Sequence, residues 1–160
     1  MAKAAKAVPN GYHTITPQLT LDNAAQTIDW YKKALGAEEI SRSAGPDGKI
    51  MHAEIKIGDS RIMLNDVMMG KGPGAFGGSP ASLWLYVDNS DTLFQRAVSA
   101  GAKVEMQIAD QFWGDRGGAV KDPAGYTWWI ATRKEDLTPE EMKQRAENYF
   151  KQMAAQPAGR

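Results

Sequence analysis

The sequence predicts an α+β fold built from two tandem β-α-β-β-β units and a C-terminal helix. The main evidence is a repeat, because Leu19-Thr20-Leu21-Asp22-Asn23 recurs as Leu85-Tyr86-Val87-Asp88-Asn89 at an offset of 66 residues. The same offset places Arg61-Ile62-Met63-Leu64 on Thr127-Trp128-Trp129-Ile130. A single offset at both ends of the unit indicates duplication of the whole unit.

Each copy of the repeat ends a strand-like run and leads through Asp-Asn into a helical pattern, because short polar side chains cap the first backbone N–H groups of a helix. The first helix is predicted over residues 23–35 and the second over residues 90–100. Gly36 and Gly101 follow these helices and suit their C-terminal ends. The apolar stripe of the first helix consists of Ala24, Ile28, Tyr31 and Leu35.

Three strands are predicted after each helix, separated by turn residues such as those in Pro46-Asp47-Gly48 and Asp122-Pro123-Ala124-Gly125. The predicted ranges are 37–43, 49–57 and 60–66 in the first unit, and 102–107, 115–121 and 125–132 in the second. A third helix begins at Thr138, where Thr138-Pro139-Glu140-Glu141 forms a capping box. Its apolar stripe consists of Met142, Ala146, Tyr149, Phe150 and Met153.

Composition narrows the function classes. The chain has 160 residues, of which 42% are hydrophobic, and its 19 basic residues balance 19 acidic ones. This neutrality offers no electrostatic basis for binding nucleic acid or a membrane surface. No apolar run is long enough to cross a bilayer. The chain has no cysteine, which excludes disulfides and zinc–thiolate sites and favours the cytoplasm as its location.

These observations predict three segments. Residues 1–11 form a flexible N-terminal arm, residues 12–133 form the duplicated domain, and residues 134–160 form the C-terminal helix and a frayed tail. The two repeats span about residues 12–66 and 81–132.

Several motifs carry a family resemblance. The segment Ile28-Asp29-Trp30-Tyr31-Lys32-Lys33-Ala34-Leu35-Gly36 and the turn Asp122-Pro123-Ala124-Gly125-Tyr126 resemble the vicinal-oxygen-chelate (glyoxalase/bleomycin-resistance/dioxygenase) superfamily. Within that superfamily, His52-Ala53-Glu54-Ile55 and Phe112-Trp113-Gly114-Asp115-Arg116 resemble the PhnB-like branch. The resemblance covers residues 12–133 and implies two four-stranded sheets that curl around a cavity.

The resemblance also implies where a metal would bind. Metal-dependent members take four ligands from the first and last strands of the two units, and these positions fall on Thr16, Met63, Ser82 and Trp129. None of these side chains suits a divalent cation, which requires imidazole or carboxylate donors here. We therefore expect neither a metal nor an organic cofactor.

The alternation of side chains along a strand predicts the surface of the cavity. If Thr16 faces the cavity, Ile15 faces the helices and His13 points to the opposite face. Ile50, His52, Glu54 and Lys56 are expected to share the cavity face of their strand. The predicted ligand-binding residues are Thr16, Gln18, His52, Arg61, Met63, Ser82, Trp84, Tyr86, Trp113, Arg116 and Trp129.

Two functions from different classes remain open. The first is a metal-independent binding protein for a small aromatic or anionic molecule, in which aromatic rings stack on the ligand and Arg61 or Arg116 binds an anionic group. The second is a glyoxalase-like lyase, isomerase or dioxygenase with an atypical or absent metal site, for which His52 and Glu54 are the catalytic candidates. The alternative for Trp84 and Trp129 is that they fill a collapsed cavity. The resemblance further implies a homodimer.

Overall fold

A computed structural model describes residues 8–67 and 71–155. Most of the predicted N-terminal arm and the tail 156–160 lie outside the described residues. The third helix of the sequence prediction lies within them.

The described chain contains eight strands and three α-helices in the predicted order. The first unit contains β1 (Gln18–Leu21), α1 (Ala24–Leu35), β2 (Glu38–Ala44), β3 (Ile50–Ile57) and β4 (Ser60–Asp66). The second contains β5 (Ser82–Tyr86), α2 (Ser90–Ser99), β6 (Lys103–Asp110), β7 (Asp115–Lys121) and β8 (Thr127–Arg133). A short 3-10 helix (Pro73–Phe76) lies between the units, and α3 (Pro139–Ala155) follows them.

The two units form two sheets of the same topology, with strand orders β1-β4-β3-β2 and β5-β8-β7-β6. In each sheet the first strand runs parallel to the last, and the remaining pairs are antiparallel. Gln18 pairs with Met63 in the first sheet, and Trp84 pairs with Trp129 in the second. Trp84 follows Gln18, and Trp129 follows Met63, by the 66-residue offset of the sequence repeat. The predicted α+β duplication is therefore confirmed.

The helices begin and end where the sequence predicts. The side chain of Asn23 accepts a hydrogen bond from the backbone N–H of Gln26, and Asn89 caps α2 through Thr92 in the same way. Gly36 ends α1 with a φ of +70°, a left-handed conformation that glycine adopts without a steric penalty. All four residues of the predicted α1 stripe are buried.

One face of each sheet is covered by α1 and α2, which pack against each other. The covered faces carry the core, including Ile55, Leu64, Val120, Trp128 and Ile130. Polar bonds link the two units within this core: the Tyr31 hydroxyl donates to Asp122 at 2.7 Å, and the Trp30 indole N–H donates to the carbonyl of Ala100 at 2.8 Å. The opposite faces of the sheets, which we call the open faces, carry the candidate site.

The alternation rule fails at the start of β3. Ile50 is buried and Met51 is exposed, whereas the sequence predicts that Ile50 shares the cavity face with His52. The reason is an irregularity in the pairing of β2 with β3, where Ser43 pairs with His52 but the next residue, Ala44, pairs with Ile50. This bulge reverses the alternation at the start of the strand, so that Ile50 points to the covered face and Met51 to the other.

The helix α3 lies outside both sheets and contacts the second unit through its aromatic side chains. Tyr149 and Phe150 pack on Phe112, with ring centroids 4.9 and 6.1 Å away. Arg145 forms a 2.6 Å ion pair with Glu135 near the start of the helix. Phe150 remains 62% exposed, so the apolar stripe of α3 is only partly covered within the chain. In the part of the chain that the structure describes, no helix has the length and apolar character needed to cross a membrane.

Candidate functional site

The open face of the second sheet is aromatic. Trp84 on β5 and Trp129 on β8 are register partners, and their rings stack with centroids 4.7 Å apart and an interplanar angle of 2°. Tyr86 lies beside Trp84 at 6.2 Å, and Trp113 meets both indoles edge-on at 6.2 Å. We call Trp84, Tyr86, Trp113 and Trp129 the aromatic face. Since Trp84 is 46% and Tyr86 57% exposed, part of the ring surface is open to a ligand.

A buried carboxylate anchors these rings. Asp115 is 1% exposed and accepts hydrogen bonds from the Tyr86 hydroxyl at 2.9 Å and from the Trp113 indole N–H at 3.0 Å. Arg133 supplies the compensating charge at 3.3 Å. Burial, together with the bond to Asp115, raises the pKa of Tyr86 above its ordinary value, so its hydroxyl remains a donor at neutral pH. No sequence pattern predicts this role of Asp115, because Tyr86 lies 29 positions away in the chain.

The segment before β7 connects the aromatic face to α3. Phe112 contacts Trp113 edge-on at 5.0 Å and also packs on Tyr149 of α3 at 4.9 Å. A continuous series of ring contacts therefore runs from Trp84 on β5 through Trp129 on β8 to the C-terminal helix. This continuity ties the position of Trp113 to the position of α3.

The open face of the first sheet is polar. Glu54 lies 3.1 Å from the Nη1 atom of Arg61 and 3.4 Å from the Nε2 atom of His52. The Arg61 guanidinium lies over the ring of Tyr12 at 5.0 Å. We call Tyr12, His52, Glu54 and Arg61 the polar cluster. The Tyr12 hydroxyl, followed by His52 and Arg61, lowers the pKa of Glu54 against the effect of burial. Glu54 is therefore held in its ionised form.

The four positions at which the resemblance places metal ligands carry no strong donor. Met63 lies opposite Gln18, which donates from its amide to Asn65 at 2.9 Å. Ser82 begins β5, and Thr16 lies two residues before β1. Among residues 8–67 and 71–155, no group of three or more His, Cys, Asp or Glu side chains is placed to hold a metal ion.

Arg116 lies away from the open faces. Its guanidinium forms two 2.7 Å hydrogen bonds with Asp91 of α2 and one of 3.2 Å with Asp110. Asp115 and Arg116 are adjacent on β7 and therefore point to opposite faces of the sheet. The expectation that Arg116 joins a ligand site with the aromatic rings does not fit this geometry, because alternation directs it toward the helices.

A crevice of about 280 Å³ brings together predicted site residues from both units, including Thr16, Arg61 and Trp84. His13 and Ile15 also line it, contrary to the expected alternation. The cause is that β1 begins only at Gln18, so the preceding residues do not follow strand geometry. Ile15 is accordingly 84% exposed rather than turned toward the helices. The complete lining is His13, Ile15, Thr16, Pro17, Ile57, Ser60, Arg61, Ile62, Leu83, Trp84, Leu85 and Trp128.

A second cavity of about 520 Å³ adjoins the outer edge of β5. It shares Trp84 and Leu85 with the crevice and is also lined by Tyr86, Asn89 and Arg96. Trp84 therefore lines both cavities and also belongs to the aromatic face. This position makes its ring the central element of the candidate site.

The chain is similar to known proteins over most of its length. Residues 12–130 match the model of the Glyoxalase/Bleomycin resistance protein/Dioxygenase superfamily. An uncharacterised protein of Mycobacterium tuberculosis strain H37Rv is 41% identical over 135 residues, which cover 81% of this chain and 79% of that protein.

Solved structures share the fold. TioX from Micromonospora sp. ML1 aligns with a TM-score of 0.62 and 23% identity, covering 76% of this chain and 98% of TioX. A PhnB protein from Bacillus cereus aligns with a TM-score of 0.58 and 18% identity, covering 75% of this chain and 99% of that chain. Together with the match to the family model, the duplicated β-α-β-β-β architecture identifies the chain as a member of the Glyoxalase/Bleomycin resistance protein/Dioxygenase superfamily.

Proposed function

We propose that this chain is a metal-independent binding protein for a small aromatic or anionic molecule. The observation that carries the proposal is the environment of Trp84. One side of its ring stacks on Trp129, while 46% of the residue remains exposed beside two cavities. An exposed cluster of large aromatic side chains at a concave surface is typical of a ligand site.

The organisation of the rings supports binding over simple filling of the core. Asp115 fixes Tyr86 and Trp113 through hydrogen bonds, so these rings keep their positions without a ligand. A preorganised surface loses little conformational entropy when a ligand stacks on it. The residues that do fill the core, such as Trp128, lie on the other face of the sheet and are almost fully buried.

The chemistry of the available donors favours a function that does not depend on a metal. Hydroxyl groups at Thr16 and Ser82 are weak neutral donors, and Met63 and Trp129 do not suit a hard or borderline cation. His52 and Glu54 are the nearest alternative pair, but Glu54 already forms an ion pair with Arg61 at 3.1 Å.

The proposal is tested by screening a fragment library against protein treated with a chelator, using native mass spectrometry. We expect aromatic fragments to bind the wild type and to bind Trp84→Ala at least tenfold more weakly. Phe76→Ala is the matched control, because Phe76 is 74% exposed but lines neither cavity. The proposal would be contradicted if no fragment binds, or if the fragments bind Trp84→Ala as tightly as the wild type.

A second candidate is an enzyme of glyoxalase type, and the 3.4 Å approach of His52 to Glu54 is the observation that favours it. A histidine and a carboxylate at this distance are able to exchange a proton with a substrate. Elemental analysis of the purified protein separates the two candidates. Stoichiometric metal that is lost in His52→Ala would favour the enzyme and would contradict metal-independent binding.

We further propose a cytoplasmic homodimer. The partly covered aromatic residues of α3 support the dimer, since large exposed apolar side chains favour association. Light scattering at micromolar concentration should give the mass of a dimer, and Phe150→Asp should shift the equilibrium toward the monomer. A wild-type protein that is monomeric under these conditions would contradict the assignment.

A further inference from the structure

The crevice beside Trp84 has an apolar floor and a polar rim. Its floor consists of Ile57, Ile62, Leu83, Leu85 and Trp128. At the rim lie His13, Thr16, Ser60 and Arg61. An apolar floor with a few polar groups at one end is the usual arrangement of a site for a small amphipathic molecule.

The rim is rich in hydrogen-bond donors. The Nη1 atom of Arg61 donates to the Glu54 carboxylate at 3.1 Å, and its Nε atom donates to the carbonyl of Gly11 at 3.2 Å. Within the described residues, no acceptor is bonded to its Nη2 atom, and no acidic side chain lines the crevice. Such a rim complements a ligand whose polar end is an acceptor.

Arg61 is also held in place. Its guanidinium stacks over Tyr12 at 5.0 Å while Glu54 fixes one of its edges. This leaves Nη2 as the guanidinium nitrogen to which no acceptor is bonded among the described residues. A fixed guanidinium binds a carboxylate with a smaller entropic penalty than a flexible lysine does.

We propose that the crevice binds a small aromatic carboxylate, with its ring in the apolar part beside Trp84 and its carboxylate at Arg61 and Thr16. This inference rests on the proposed binding function and names the ligand class. The volume of about 280 Å³ lies just below the usual range for organic ligands, which begins at about 300 Å³, and therefore suits a small compound such as one of two fused rings. The net charge of the Arg61–Glu54 pair is small, so hydrogen bonding rather than long-range attraction selects the carboxylate.

The test compares 2-naphthoate with its uncharged isostere 2-naphthamide by isothermal titration calorimetry, on the full chain after chelator treatment. We expect 2-naphthoate to bind at least tenfold more tightly. Arg61→Gln should abolish this preference for the carboxylate, while Trp84→Ala should weaken the binding of both compounds. Arg42→Gln is the matched control, because Arg42 pairs with Glu39 on β2 and lines no part of the crevice.

Arg61→Gln also removes the partner of Glu54, so its folding is checked by circular dichroism. Thr16→Val provides a second variant outside the ion pair and should weaken the binding of 2-naphthoate severalfold more than that of 2-naphthamide. Equal affinity of the wild type for the two compounds would overturn the carboxylate assignment. If other aromatic fragments nevertheless bind in a Trp84-dependent manner, the binding function survives. If no fragment binds at all, both proposals fail.

Discussion

The Tyr31 hydroxyl of α1 donates a 2.7 Å hydrogen bond to the Asp122 carboxylate in the turn between β7 and β8. The same oxygen of Asp122 accepts from the Trp128 indole N–H at 2.9 Å, and the other oxygen accepts from the backbone N–H of Tyr126. These bonds satisfy a buried carboxylate and join the first unit to the second. Two motifs that carry the family resemblance are thus in direct contact.

We expect Tyr31→Phe to lower the free energy of unfolding by about 1–3 kcal/mol, because a buried acceptor loses one of its donors. Urea denaturation followed by circular dichroism measures this change. Tyr149→Phe is the control, since Tyr149 is exposed on α3 and should have little effect. Equal stability of Tyr31→Phe and the wild type would show that the bond between the units contributes nothing.

The same tyrosine predicts a dependence of stability on alkaline pH. Burial, followed by the charge of Asp122, raises the pKa of Tyr31 well above the ordinary value. Between the unfolded and folded pKa values the unfolded chain has released this proton and the folded chain has not, so stability decreases as the pH rises above about 10. Tyr31→Phe should show a shallower decrease than the wild type in denaturation midpoints measured over this range. Parallel pH profiles would contradict this reading.

Much of the fold is encoded in local patterns. The repeat, the Asn caps and the apolar stripe of α1 predict the elements correctly because each depends on neighbouring residues. The faces of residues near strand ends could not be predicted in this way. His13 reaches the crevice because it precedes β1, and Met51 turns outward because of the bulge beside it.

The site was predictable only in part, for a related reason. Alternation correctly places Trp84, Tyr86 and Trp129 on one face of the second sheet. It offers no information on the partners of a charged side chain. The bond between Asp115 and Tyr86 joins residues that are 29 positions apart. The pairing of Arg116 with Asp91 depends on how α2 lies on its sheet, which is a tertiary property.

Gly118 should tolerate no side chain. A Cβ atom there would lie 2.8 Å from the carbonyl oxygen of Met106 and 2.8 Å from the Phe94 ring, so the sheet and α2 would have to separate. We expect Gly118→Ala to cost about 1–3 kcal/mol through overpacking. Gly45→Ala is the control, because an added Cβ there meets only flexible side chains. Thermal denaturation of both variants measures the difference, and equal midpoints would contradict the close approach.

Asp115→Asn should disturb the aromatic face. Loss of the charge removes one cause of the raised pKa of Tyr86, so this pKa should shift down toward the ordinary tyrosine value. Ultraviolet difference spectroscopy during an alkaline titration measures the shift, and Tyr86→Phe identifies the signal of this residue. Stability should also decrease by about 1–3 kcal/mol, because Arg133 loses its charged partner and asparagine keeps a single acceptor oxygen for the donors of Tyr86 and Trp113. An unchanged tyrosine titration would contradict the effect of Asp115 on the pKa of Tyr86.

The most direct test of metal-independent binding at Trp84 is a calorimetric titration of chelator-treated protein with an aromatic fragment from the screen, on the wild type and on Trp84→Ala. We expect the wild type to bind without added metal and Trp84→Ala to bind at least tenfold more weakly. Binding that appears only after a divalent metal is restored, or that is equal in the two proteins, would contradict this expectation.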